Sequence, residues 1–219
     1  MQKDLALLEG CPLFAGVKPG ELDAMMGCLD ARTAPVARGE LLWHAGDEAR
    51  RFGVVLAGSL HICQEGADGS LSVIGHAGPG ELVGEAFAFA GETLPVSVQA
   101  AADSRVLLID SRRLISPCQQ ACGFHQQLIF NLMRILARKS LAFRQKIEIL
   151  SQRTTRDKLL AYLHMQMRQH GPSFVIPYDR QGLADFLAVD RSGLSMEISR
   201  LRAEGVLECQ KNRFTLLDM

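Results

Sequence analysis

The stretch from Asp179 to Met219 limits this chain more than any other part of it. DRQGLADFLA, residues 179–188, sets Leu183 and Leu187 one turn apart on a short helix. Ala188-Val189-Asp190 reads as a tight turn. Arg191 to Glu204 reads as a second helix, with Leu194, Ile198 and Leu201 facing inward at spacings of 4 and 3. Asp190 has the side chain to accept hydrogen bonds from the free N–H groups that open this helix. Small Ala184 and Ala188 fall where the two helices must approach closely. Gly205 ends the second helix. VLEC and FTLLD then flank Gln210-Lys211-Asn212-Arg213, a pattern for a two-stranded hairpin with a basic tip. Helix, tight turn, helix and basic hairpin in this order specify a winged helix-turn-helix, whose second helix enters the major groove N-terminus first.

Base reading is then expected from the second helix's outward face. Arg191, Ser192, Ser195, Met196 and Ser199 point away from the apolar stripe. Arg191 suits bidentate readout of a guanine, the serines can bond a base edge or a phosphate, and Met196 can pack on a thymine methyl. Arg180, Gln181, Arg200 and Lys211 suit phosphate contacts, which orient the protein without specifying sequence, and Arg213 completes the basic tip.

Upstream, the texture changes twice. Residues 1–30 read as two helical pieces, one with Leu5, Leu7 and Leu8 and one with Leu22, Met25 and Met26, parted by Lys18-Pro19-Gly20. From Arg32 to Asp110 glycines recur at short intervals between apolar runs: Leu41-Leu42-Trp43, Val54-Val55-Leu56, Leu60-His61-Ile62 and Val106-Leu107-Leu108-Ile109. Ala67-Asp68-Gly69 is a hairpin signal. Many short strands with regular turns predict an antiparallel barrel or jelly roll. From Pro117 to Arg153 the period becomes helical. Ile129, Met133, Leu136, Ser140, Phe143, Ile147 and Leu150 recur at spacings of 4 and 3, a seam held for three heptads. A 3.5-residue period over that length predicts a partner helix and hence a homodimer, the other reading being a long helix packed on its own domain. Thr154 to Asp157 can cap a further helix carrying Leu159, Leu160, Leu163 and Met167, which stops at Gly171-Pro172. Phe174-Val175-Ile176 predicts a short strand.

The fold class expected is therefore α+β, in three parts. Residues 1–116 form an effector-sensing jelly roll with N-terminal helices. Residues 117–153 form a dimerisation helix, and residues 154–219 the winged helix-turn-helix. The formal net charge is zero, which requires an acidic region to balance the basic face of a DNA reader. MQKDLALLEG carries charges where a secretory signal needs an apolar stretch, and no run of about 18 apolar residues exists, so a cytoplasmic protein without a membrane span is expected. Six scattered cysteines, Cys11, Cys28, Cys63, Cys118, Cys122 and Cys209, fit reduced thiols. No G-x-S-x-G, P-loop or H-E-x-x-H motif points to an enzyme.

This order of parts resembles the CRP/FNR family of bacterial one-component regulators. The resemblance spans nearly the whole chain, most specifically in VDRSGLSMEISRLRAEGVL and GPGELVGE. It implies a homodimer through the long helix, palindromic double-stranded DNA, RNA polymerase as a partner, and an effector held in a cyclic-nucleotide-binding-like jelly roll. Members that bind cyclic nucleotides supply an Arg and a Ser for the phosphate after a Gly-Glu pair. Here Gly84-Glu85 is present, but the Arg and Ser positions fall at Leu94 and Pro95 in GETLPVSVQA. Without the guanidinium, a buried phosphate loses a charge-assisted pair, which argues against cyclic AMP or cyclic GMP. An Arg common in relatives is Met196 here, so a relative's target sequence does not transfer.

Other control chemistries stay open at this point. An iron–sulfur cluster needs four cysteine ligands, several closely spaced, and the chain offers one CxxxC pair, Cys118 and Cys122, which could instead form a reversible disulfide. Haem would draw on His44, His61, His76, His125, Cys63 or a Met. His61 and Cys63 share one strand face by spacing. A ligand-independent DNA-binding module, with the jelly roll as scaffold, is the remaining alternative.

Overall fold

The computed structural model describes residues 7–8, 10–66, 71–116 and 123–217, which divide into two compact units, Met1–Arg138 and Lys139–Met219. Leu5, the hairpin signal at Ala67-Asp68-Gly69, and the Pro117, Cys118 and Cys122 positions lie outside the described residues.

The first unit opens with 3-10 turns at Pro12–Phe14 and Pro19–Glu21 and helix α1, Leu22–Cys28. Eight strands follow: β1 (Arg32–Val36), β2 (Leu41–Trp43), β3 (Arg51–Ala57), β4 (Leu60–Glu65), β5 (Leu71–Ala77), β6 (Leu82–Val83), β7 (Ser97–Ala100) and β8 (Ser104–Asp110). Two short helices interrupt or follow them, α2 (Glu85–Ala90) and α3 (Ser111–Ile115). The strands form two four-stranded antiparallel sheets, β1-β8-β3-β6 and β2-β7-β4-β5, the jelly roll that the glycine spacing predicts.

The unbroken apolar runs in β3 and β8 have a physical reason. Val55 and Val106 face one buried cluster with Val36, Leu60 and Val98, between the two sheets. Val54, Leu56, Leu107 and Ile109 face a second cluster with Leu13, Met25, Leu114 and Leu128 from the helices. Covered on both faces, these strands cannot alternate apolar with polar residues.

Helix α4 runs from Phe124 to Leu150, and the division between units falls within it. Its first half packs Phe124, Leu128 and Leu132 into the helical cluster of the first unit. Asn131 is buried there, its amide donating to the carbonyls of Leu13 and Ala15, each at 2.8 Å. A different face carries the seam. Met133, Phe143 and Ile147 are about two-thirds exposed at 64%, 66% and 66%; Ser140 is also exposed, and Ile129, Leu136 and Leu150 are half-buried.

The second unit continues with α5 (Thr155–His170), β9 (Ser173–Val175), α6 (Arg180–Leu187), α7 (Arg191–Ala203), β10 (Leu207–Gln210) and β11 (Arg213–Leu216). Thr154 caps α5 by accepting from the Asp157 N–H at 3.1 Å while its hydroxyl donates to the Asp157 carboxylate at 2.7 Å. The strand expected at Phe174–Ile176 begins and ends one residue earlier. It joins the wing, so the hairpin is part of a three-stranded sheet, β10-β11-β9, rather than two strands alone. Backbone pairing of Phe214 with Phe174 sets this register, and both rings are buried and stacked.

Candidate nucleic-acid interface

Helices α6 and α7 are held by matching N-caps. Asp179 accepts from the Gly182 N–H at 2.7 Å, and Asp190 accepts from the Gly193 N–H at 2.8 Å. Leu183, Ala184 and Leu187 of α6 pack against Leu194, Ile198 and Leu201 of α7 in one buried cluster. Ala184 is the small contact residue expected. Ala188 is not: it is exposed and lies in the left-handed region at φ 49°, ψ 59°, where it closes α6. It closes the helix in a strained backbone conformation rather than making a helix contact. Gly205, at φ 74°, ends α7 in the same region.

Two positioning residues carry no local sequence signal. Lys158 on α5 donates its ammonium to the Leu187 and Ala188 carbonyls at 3.3 and 3.5 Å, satisfying the open C-terminus of α6. Arg156 forks onto Glu204 at the far end of α7, with one bond at 3.0 Å. Both span tens of residues in the chain, so neither spacing nor periodicity points to them.

The outward face of α7 follows the expected list, with differing freedom among its members. Arg191, Ser192, Met196 and Ser199 are exposed, and Ser195 is half-buried. Ser192 donates its hydroxyl to the Asp190 carboxylate. Ser195 and Ser199 donate back to the carbonyls of Arg191 and Ser195 at 2.9 and 3.0 Å. Their oxygens remain able to accept from a base amino group, but donating outward requires rotation. Among the described residues no hydrogen bond or ion pair engages the Arg191 guanidinium.

The supporting positions are also distinct. Gln181 donates to Asp185 at 2.8 Å and Arg200 pairs with Glu197 at 2.7 Å. Arg180 is half-buried, its guanidinium 5.9 Å from the Phe214 ring centroid and donating to the Cys209 sulfur at 3.5 Å, so it ties α6 to the wing. Lys211, at φ 55°, makes the wing turn, and both Lys211 and Arg213 are exposed at its tip.

Charge is distributed as a zero total requires of a DNA reader. The Lys139–Met219 unit holds thirteen Lys and Arg against nine Asp and Glu; the Met1–Arg138 unit holds eleven against fifteen. The half with the helix-turn-helix is therefore basic, and the jelly-roll half acidic.

In the jelly roll, Gly84 (φ 75°) leads into α2 beneath Trp43; a Cβ there would sit 2.9 Å from the indole ring. Glu85 begins α2 and is buried. Leu94 is 2% exposed and packs in the cluster with Phe52 and Leu56, while Pro95 is exposed. The position expected to offer a cation to a phosphate thus points an apolar side chain into the core.

The histidines and thiols are dispersed. His61 lies opposite His76 across the β4–β5 pair, and His44 is exposed. A register shift separates Ile62 from Cys63, and Cys63 is 1% exposed. His125 is buried at the start of α4, its Nε2 has no partner among the described residues, and burial holds its pKa below the ordinary imidazole range. Cys11 and Cys63 are buried, and Cys28 and Cys209 are half-buried. Among the described residues, no group of three or more His, Cys, Asp or Glu side chains converges for a metal, and no helix is long and apolar enough to cross a membrane.

Comparison with known proteins agrees with this geometry. Residues 33–121 match the family model of the cyclic nucleotide-binding domain, and residues 157–219 match that of the Crp-like helix-turn-helix domain. The chain is 25% identical over 201 residues to the cyclic AMP receptor protein of Thermus thermophilus, covering 91% of this chain and 89% of that protein. It is 26% identical over 217 residues to the transcriptional activator protein FnrA of Stutzerimonas stutzeri, covering 96% and 86%. Among solved structures, the c-di-GMP responsive global regulator CLP of Xanthomonas campestris shares the fold, with a TM-score of 0.59, 20% identity, and coverage of 92% of this chain and 100% of that one.

Proposed function

The chain belongs to the CRP/FNR family of transcription regulators, and we propose that it acts as a homodimeric, sequence-specific regulator whose jelly roll answers to a small molecule or a redox signal. The observation that carries DNA reading is Arg191. It stands exposed, and unpaired among the described residues, at the N-terminus of the second helix of the pair, where a guanidinium reaches a base edge. Ser192, Ser195, Met196 and Ser199 extend that face along the groove. Arg180, Gln181, Arg200, Lys211 and Arg213 border it as phosphate contacts.

The exposed seam on α4 supports a dimer. Met133, Phe143 and Ile147 are exposed apolar residues of the seam, on a helix whose first half already packs another face into the first unit. A second copy would cover that face and present two heads to an inverted repeat. By family, RNA polymerase is the further protein partner and the cytoplasm the place of action.

The jelly-roll effector is proposed to be something other than a cyclic nucleotide, because Leu94 occupies the expected cation position and faces the core. The same observation favours a second reading, in which the jelly roll serves only as a dimer scaffold.

Fluorescence anisotropy with an operator duplex and with single-base variants tests the Arg191 assignment. Arg191→Ala is expected to cost about 1–3 kcal/mol on the preferred site and to flatten preference at one base pair per half-site. Uniform weakening across all duplexes would make Arg191 a phosphate contact.

A further inference from the structure

Trp43 is the only tryptophan in the chain. It ends β2 half-buried, and alone among the partly buried residues described it packs against both hydrophobic clusters of the first unit. Its indole is seated on two glycines. A Cβ added at Gly84 would lie 2.9 Å from Cζ3 and 3.3 Å from Cη2 of the ring. One added at Gly53, inside β3, would lie 3.5 Å from the same Cη2, and 2.8 and 2.9 Å from methyl groups of Val106 and Val83. A glycine inside a strand often marks where a ligand comes close to the backbone. Here the group that comes close is the chain's own indole.

The turn after Trp43 is tied to the segment that carries Leu94. The Gly46 N–H donates to the Leu94 carbonyl at 2.7 Å, and the Leu94 N–H donates to the Asp47 carbonyl at 2.9 Å. The Ala45 N–H donates to the buried Ser97 hydroxyl at 3.0 Å, and Trp43 itself pairs with Val98 of β7. Leu94 in the core and Trp43 on Gly84 are therefore parts of one hydrogen-bonded corner. An indole is a large apolar group, and a close-packed interior has no room for a second occupant in the same space.

We propose that Trp43 is a built-in plug: it fills the Gly84 end of the jelly roll, and a molecule reaches Gly84-Glu85 only by displacing the indole. The inference rests on the reading of Gly84-Glu85 as the effector end of the domain. It goes beyond that reading by naming the residue that controls entry and the chemistry of the latent site, a flat apolar slot of indole size. Apolar space opened by removing a large side chain takes up small aromatic molecules, so the slot is directly testable.

Scanning calorimetry of the full chain and of Trp43→Ala, each with and without about 5 mM indole, tests the plug. The variant is expected to melt about 5 °C or more below the wild type. Indole should raise the Tm of the variant by at least about 2 °C and leave the wild type unmoved. No rise in the folded variant, or an equal rise in both proteins, would overturn the proposal. If Trp43→Ala fails to fold, the wild type supplies the second measurement through the emission of its single tryptophan. That emission is expected to lie blue of free tryptophan and to resist quenching by acrylamide; a water-like, freely quenched emission would overturn the plug. Cyclic AMP separates the plug from the reading it rests on. At about 1 mM it is expected to change neither the wild-type Tm nor the Trp43 emission. A Tm rise with a red shift would overturn the exclusion of cyclic nucleotides and support displacement of the indole. A Tm rise with the emission unchanged would overturn the plug.

Discussion

Ala188 and His125 are held in a conformation and a setting that each cost free energy. Ala188 occupies the left-handed region that L-residues enter at a cost of roughly 1–2 kcal/mol, and the turn between α6 and α7 depends on it. The sequence places Ala188 at the turn but not its role, because an alanine carries no mark of a positive φ. His125 is the other case. His125 Nε2 is buried with no partner among the described residues, and burial lowers its pKa in the folded chain. The unfolded chain therefore binds the proton more readily. The His125 contribution is fully present above about pH 6.5 and is lost as pH falls from there toward the depressed folded value. Thermal melts at pH 7.5 and pH 5.5 are expected to show a lower Tm on the acid side for the wild type and a smaller difference for His125→Phe. An equal difference in both proteins would assign the acid sensitivity elsewhere.

At the scale of elements, α4 is where sequence and structure part most instructively. The seam from Ile129 to Leu150 is legible because its 3.5-residue period is regular. The second apolar face, Phe124, Leu128 and Leu132, is interleaved with the seam in FHQQLIFNLMRILA, and one run cannot display two stripes separately. Only folding shows which positions the chain covers by itself. The two faces respond differently to substitution. Leu128→Ala, at a fully buried position, should destabilise the fold by about 2–5 kcal/mol. Phe143→Asp should leave the melting of the single chain nearly unchanged and convert a sedimenting dimer to monomer. A Phe143→Asp protein with unaltered sedimentation would remove Phe143 from the interface. The wing shows a related limit. VLEC and FTLLD reveal the hairpin, but the pairing of β9 with β11 joins residues about forty positions apart, and no local pattern reports it. Likewise Lys158 and Arg156 brace the helix pair through long-range bonds that the sequence does not announce.

Across the whole molecule, the neutral total charge conceals an acidic half and a basic half. The basic half carries the helix-turn-helix, where counterion release on phosphate binding supplies affinity and base contacts supply choice. Those two contributions separate by sequence dependence, and so does the central assignment, that α7 reads bases through Arg191. Selection from random duplex DNA by the full-length protein, followed by sequencing, measures it directly. The wild type is expected to enrich an inverted repeat with half-site centres about 10 base pairs or a multiple apart, and Arg191→Ala to lose preference at one symmetric base pair in each half. An unenriched pool for the wild type, or identical enriched sites for both proteins, would contradict the assignment.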